Sequence, residues 1–148
     1  MASEEQLNFN EAHPPQENSI TAFGNCLKQI KFEIVKSRNH WDKHEPKMWR
    51  RAQGVSDEEL VNFTLEDDLV LVRSAATSYG TIILGKIRLP AIQDGYVHIR
   101  IHDVPGEGTD NVRYHSLWTD EGTPNEDGQP TTWNAIQTQD TPLEFFNE

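Results

Sequence analysis

The chain has 148 residues, a net charge of −11 and one cysteine, Cys26. This length predicts a single domain that buries its own core, and one cysteine excludes an internal disulfide framework or a Cys-rich zinc site. An acidic chain without signal-peptide pattern or long apolar run disfavours nucleic acid and membranes as partners, so we expect a soluble, cytoplasmic protein.

The first predicted element is an amphipathic helix that follows a mobile acidic tail over residues 1–18. Residues 19–148 are expected to form one α+β pocket domain. Ser19 is a favourable N-cap, and apolar residues then recur at helical spacing, at Ile20, Phe23, Leu27, Ile30 and Ile34. A strand over 28–36 is the alternative, because apolar residues also alternate there. We predict the helix, since its period accounts for more residues.

Two short helices are predicted before the first strand. Pro46 suits the first turn of the first one, which Gly54 can close. Ser56 and Glu59 have the spacing of a capping box, which predicts a helix to about Phe63.

From residue 65 the hydrophobic period changes to two, which predicts an antiparallel meander of five strands. The predicted strands cover residues 67–75, 79–90, 95–103, 111–120 and 131–138. The first two strands are apolar on both faces, so both faces must be covered. Helices can cover one face, while curvature, the C-terminal segment or a second subunit can cover the other.

The predicted fold is therefore α+β, with N-terminal helices followed by a curved antiparallel β-meander that forms a cone or cup. A small β-barrel of the calycin type is the alternative. The order of elements and the chain length resemble the helix-plus-cone architecture of NTF2-like domains. That resemblance implies a small-molecule pocket of the kind used by cofactor-free isomerases, cyclases and pure binding modules.

The candidate site lies on the predicted strand 95–103. Its residues alternate between an apolar set and a basic set, Val97, Ile99 and Ile101 against His98, Arg100 and His102. In a strand each set occupies one face. The following strand adds Tyr114, Ser116 and Trp118 to one of its faces and His115 to the other, and the register decides which face joins the basic set.

These residues fit acid–base catalysis without a cofactor. A histidine, His98, His102 or His115, moves a proton near neutral pH. Arg100 holds an anionic or carbonyl oxygen, and Tyr114 or a serine hydroxyl donates a further hydrogen bond.

Three alternatives remain for the same residues. Binding alone would use Arg100 or Arg73 to hold a carboxylate. A metal site from the histidines is disfavoured, because His98 and His102 lie about 13 Å apart along a strand. The basic set can also be the hydrated face of an ordinary antiparallel strand.

We therefore predict a pocket protein for a small, largely apolar molecule, with a cofactor-independent isomerase or cyclase as the favoured activity. The predicted catalytic residues are His98, Arg100, His102, Tyr114 and His115. The predicted substrate contacts are Arg73, Ser116, Trp118, Trp133 and Trp41. A non-catalytic ligand-binding module, or an interaction module that forms a homodimer, is the alternative, and neither a cofactor nor a metal is expected.

Overall fold

A computed structural model gives the fold, and it describes residues 9–41, 49–77, 80–103, 112–118, 120–121, 126–127 and 133–143. Helices come first along the chain and a four-stranded antiparallel sheet follows. The predicted α+β class with a β-meander is confirmed. Of the described helices, none is long and apolar enough to cross a membrane.

The predicted first helix is present as two consecutive helices, α1 over Glu17–Asn25 and α2 over Leu27–Trp41. The strand alternative for this region is wrong. The predicted N-cap role of Ser19 is also wrong, because the helix begins two residues earlier, after the extended Gln16. The Asn18 side chain instead accepts a hydrogen bond from the Ser19 amide at 2.9 Å, which satisfies one first-turn donor.

The capping box is confirmed at the start of α3, which spans Asp57–Leu60. The Glu59 amide donates to Ser56 Oγ at 3.1 Å, and the Glu59 carboxylate accepts from the Ser56 amide. This helix is shorter than the prediction, which extended it to about Phe63. Phe63 is buried in the core after the helix has ended.

Two short elements flank α3. A single 3-10 turn covers Arg50–Ala52 and is followed by Gly54 with a positive φ of 83°, a conformation that suits glycine. The first part of the helix predicted there lies outside the described residues. A one-turn helix, α4, covers Leu65–Asp68, where the sequence predicted that the strand period had already begun.

The main sheet contains four antiparallel strands in the order β1-β2-β3-β4. They span Leu69–Thr77, Gly80–Arg88, Tyr96–Asp103 and Val112–Leu117. The prediction of a fifth strand in this meander is wrong. Trp133–Asn134 (β6) pairs instead with Asp120–Glu121 (β5) in a separate two-stranded sheet. Among the described residues of the predicted fifth strand, Gln137 alone pairs with the main sheet, through an isolated bridge to Tyr96 of β3.

The outer edge of β1 is covered by the chain that precedes α1. The Asn10 amide donates to Ser74 O at 3.2 Å, and His13 and Val72 exchange backbone hydrogen bonds of 3.1 and 2.9 Å. Residues 10–13 of the predicted tail are therefore paired with the sheet, whereas residues 1–8 lie outside the described part. Pairing of this kind protects an edge strand from other chains.

The helices pack on one face of the sheet, called here the first face. Its apolar core includes Phe23, Ile30 and Ile34 from the helices, and Ile99 and Ile101 from β3. The opposite side, the second face, has its own smaller apolar cluster of Ala75, Ile82, Leu84 and Leu143. The prediction that both faces of the first two strands are covered is therefore confirmed for β1 and β2.

Gly85 lets the helix layer approach the sheet closely. A Cβ atom on Gly85 would lie 2.4 Å from Cζ of the fully buried Phe23, a distance too short for two carbon atoms. The absence of a side chain at Gly85 thus makes room for the Phe23 ring, a role that we did not predict.

Candidate small-molecule site on the second face of the sheet

Three residues of β3, His98, Arg100 and His102, form what we call the polar stripe. Val97, Ile99 and Ile101 belong to the cluster that contains the helix residues. Because alternate residues of a strand point to opposite sides, the polar stripe lies on the second face. The predicted separation of the two sets is confirmed.

The polar stripe is buried rather than hydrated. His98 is 0% exposed and Arg100 is 3% exposed, while His102 is half-buried. The interpretation of the stripe as the hydrated face of an ordinary strand is therefore wrong for His98 and Arg100. Charged and polar side chains are rarely buried unless their polar atoms have hydrogen-bond partners or charged partners.

His98 is the most deeply buried residue of the polar stripe. Its ring stacks on the Trp118 indole with 5.4 Å between ring centroids and 16° between planes. Neither ring nitrogen has a hydrogen-bond partner among the described residues. Burial, together with the nearby Lys86 charge, lowers the pKa of His98 from 6.5 to about 3. The imidazole is therefore neutral at pH 7, which does not suit the predicted role as an acid–base group with a near-neutral pKa.

Lys86 lies directly opposite His98 on the neighbouring strand. It is 1% exposed, and its Nζ donates to Gln139 O at 2.9 Å and to Thr141 O at 2.7 Å. Burial lowers its pKa, and the charges of Asp140 and Asp94 act in the opposite direction. Lys86 was not among the predicted site residues, although a lysine within the apolar run of β2 indicates a buried cation.

A β-bulge in β4 divides the residues that we predicted to lie together. Arg100 pairs with Ser116, but Ile101 pairs with Tyr114, so β4 advances two residues while β3 advances one. Ser116 consequently lies on the second face beside the polar stripe, and its buried Oγ has no hydrogen-bond partner in the described part of the chain. Tyr114 packs instead against the core of the first face.

The expectation that Tyr114 shares a face with Ser116 is therefore wrong, because sequence alternation does not reveal a bulge. Burial and the Glu33 charge raise the pKa of Tyr114 above its usual value. A phenol on the first face is separated from the polar stripe by the sheet itself.

Arg73 lies on the second face but binds the chain's own backbone. Its Nε donates to Asn10 O and its Nη1 to Leu143 O, both at 2.8 Å. The guanidinium also lies 5.6 Å from the centroid of the Phe9 ring. Arg73 therefore joins two terminal segments to β1. We had predicted that its donors would hold the carboxylate of a ligand.

Three predicted site residues have side chains outside the described part of the structure. The backbone of Trp41 ends α2 in the helix layer, His115 lies in β4, and Trp133 lies in β6. Trp118, the remaining predicted contact, is on the second face against His98. Within the described residues, no group of three His, Cys, Asp or Glu side chains is placed to hold a metal ion.

Two clefts formed by described residues lie away from the polar stripe. One, of about 460 Å³, is lined by Arg88, Asp94, Tyr96 and Asp140 among others. The second, of about 370 Å³, lies between the start of α1 and the sheet, and its lining includes His13, Asn18, Val72 and Ile83. Neither of these two clefts is lined by His98 or Ser116, whose buried polar atoms have no hydrogen-bond partner among the described residues.

No family model, curated protein or solved structure matches this chain.

Proposed function

We propose that this protein binds a small, largely apolar molecule at the polar stripe, and that the ligand presents a carbonyl or hydroxyl group to β3 and β4. One observation carries the proposal. Both ring nitrogens of His98 and the hydroxyl of Ser116 are buried without hydrogen-bond partners among the described residues. A buried polar atom left without a partner destabilises a protein by about 1–3 kcal/mol, and a bound polar group would remove that penalty.

The chemistry of the ligand follows from the groups around these atoms. A neutral imidazole offers one donor and one acceptor, and a hydroxyl offers both. Ile82, Leu84 and Trp118 supply apolar surface on the same face. We propose that the sheet curves and forms a cup around the ligand together with the segment that crosses the second face.

Catalysis is the second candidate function, and the position of His102 favours it. It lies on the same face as His98, is half-buried, and is separated from His98 by Arg100 along β3. A cofactor-independent isomerase or cyclase would use His102 to move the proton and Arg100 to hold the developing oxyanion. The low pKa of His98 restricts that residue to hydrogen bonding.

The interaction-module alternative has less support from this face. A sheet surface that binds another protein is expected to expose a broad apolar patch. The apolar cluster of the second face is instead buried, with Ile82 and Leu143 each 4% exposed.

Binding of small carbonyl probes tests the proposal. Full-length protein is titrated with cyclohexanone and with δ-valerolactone while backbone amide shifts are recorded by NMR. We expect saturable shifts confined to β3, β4 and the segment over them. His98→Phe and Ser116→Ala should each weaken binding at least tenfold, whereas the exposed His40→Phe should leave it unchanged.

Two results would contradict the proposal. The first is the absence of amide shifts, or shifts that rise linearly with probe concentration, because neither result indicates a defined binding site. The other is saturable binding that His98→Phe and Ser116→Ala leave intact, since the site would then lie elsewhere, for instance in one of the open clefts.

A further inference from the structure

Residues 137–143, called here the C-terminal strap, cross the second face of the sheet. Alternate carbonyl oxygens of the strap accept hydrogen bonds from cationic side chains. Arg51 donates to Gln137 O, Lys86 donates to the carbonyls of residues 139 and 141, and Arg73 donates to Leu143 O. Charge-assisted hydrogen bonds of this type are about twice as strong as neutral ones.

The three cations come from three separate elements: the 3-10 turn, β2 and β1. Backbone pairing between the strap and the main sheet is limited, among the described residues, to the mutual bonds of Tyr96 and Gln137, at 2.9 and 2.7 Å. The strap therefore rests on side chains rather than on a continuous ladder. Such a contact can open while the sheet beneath keeps its own hydrogen bonds.

The middle of the strap lies on Lys86, the cross-strand neighbour of His98. The fully buried ring of His98 is stacked on Trp118, and Trp118 packs against the cluster that contains Leu143. Opening the strap would uncover Lys86 first and then the edge of the polar stripe.

We propose that the C-terminal strap is a lid over the polar stripe and that Lys86 is its latch. The inference rests on the proposed function in one respect only, because a lid regulates entry to the site proposed above. The opening of residues 137–143 separately from the sheet does not depend on whether any ligand binds. Release of the strap sets how fast a small molecule enters or leaves.

Hydrogen exchange of the full-length protein tests this opening. The amides of residues 138 and 141 donate within the strap, to Thr141 Oγ1 and Thr138 O. The amides of residues 137 and 139 donate outside it, to Tyr96 O and Asp94 Oδ1, so these two amides report the docked state. In Lys86→Met these amides should exchange at least tenfold faster, while the amides of β2 and β3 keep their protection. Lys28→Met, on the exposed surface of α2, is the matched control and should change neither set.

A second variant, Arg73→Gln, removes the anchor at the far end of the strap. It should accelerate the same amides at least threefold, and it provides the test if Lys86→Met does not fold. Unchanged exchange of the strap amides in both variants would overturn the proposal. Equal acceleration of strap and sheet amides would overturn it too, because the strap would then be part of one cooperative core.

Chemical modification of His98 tests what the lid covers. Diethyl pyrocarbonate acylates accessible neutral imidazoles, and peptide mass spectrometry reports each histidine separately. His98 should react at least tenfold faster in Lys86→Met than in the wild type, with His40 unchanged as an internal reference. Faster strap exchange with unchanged His98 reactivity would show an opening that does not lead to the stripe, and the lid proposal would be wrong. Failure of probe binding alone would count against the proposed function and leave these exchange results unaffected.

Discussion

The two faces of β3 are built from alternating residues of one strand, yet they are buried by different means. On the first face, Val97, Ile99 and Ile101 pack against helices in an apolar core. On the second face, His98 and Arg100 are almost as deeply buried, but the C-terminal strap that crosses this face is held by hydrogen bonds from cationic side chains.

The two faces therefore contribute differently to the stability of the protein. Apolar burial on the first face contributes most of the stability, since removal of apolar surface from water is the main driving force of folding. The second face has buried polar atoms without described partners at His98 and Ser116, which destabilise the fold unless a ligand satisfies them. A protein retains such a cost most readily where the polar atoms serve a function.

The largest expected effect is on the first face. Ile99→Ala removes a fully buried side chain between the sheet and the helices, and a change of this kind costs about 2–5 kcal/mol. Urea unfolding should show that loss. Phe32→Ala is the matched control, because Phe32 is 62% exposed, and a comparable loss in that variant would contradict the assignment of the core.

The pH dependence of the free energy of unfolding reports the burial of His98 on the second face. Burial holds the pKa of His98 at about 3 in the folded protein, below its ordinary value of 6.5, so the unfolded chain binds more protons between these values. Stability should fall as the pH falls from about 6 to 4, with roughly 2 kcal/mol of that fall due to His98. In His98→Phe this part should be absent, which urea unfolding at several pH values can measure. Equal slopes in the two proteins would mean that His98 is not a buried neutral group.

Gly85→Ala tests how closely the helices approach the first face. The added methyl group would collide with the Phe23 ring, and overpacking typically costs about 1–3 kcal/mol. Phe23→Leu should recover part of that loss in the double variant, because a smaller side chain leaves room for the methyl group. Additive losses in the double variant would show that Gly85 and Phe23 are not coupled.

The smallest expected effect lies outside both faces. Ser56→Ala removes the N-cap of α3 and should lower the free energy of unfolding by about 1 kcal/mol. Stability and carbonyl-probe binding can be measured on the same samples. Loss of probe binding in this variant would show that binding reports stability and not the chemistry of the second face.

The sequence predicted the features of this fold that depend on local patterns. The alternation along β3 predicted the correct two faces, and the spacing of Ser56 and Glu59 predicted a capping box that is present. The two-sided apolar pattern of β1 and β2 predicted that both faces are covered. These features follow from hydrophobic period and capping chemistry, which a single sequence contains.

Tertiary arrangement accounts for what the sequence did not predict. The bulge that moves Tyr114 to the first face leaves no mark on the alternation of β4. The segment predicted as a fifth strand leads into a strap whose carbonyls, at residues 139 and 141, are bound by the distant Lys86. The low pKa of His98 likewise depends on burial and on a neighbouring strand, neither of which can be seen from its position in the sequence.

The protonation and hydrogen bonding of the His98 ring can be measured directly, and they show whether the polar stripe is the ligand site. Long-range proton–nitrogen NMR correlations of the full-length protein at pH 7 report whether each ring nitrogen is protonated and whether it is hydrogen-bonded. We expect a neutral ring without a strong hydrogen bond in the free protein, and a shift of one ring nitrogen when cyclohexanone is added. A charged ring, or a neutral ring that does not respond while the probe binds, would contradict the assignment of the polar stripe as the ligand site.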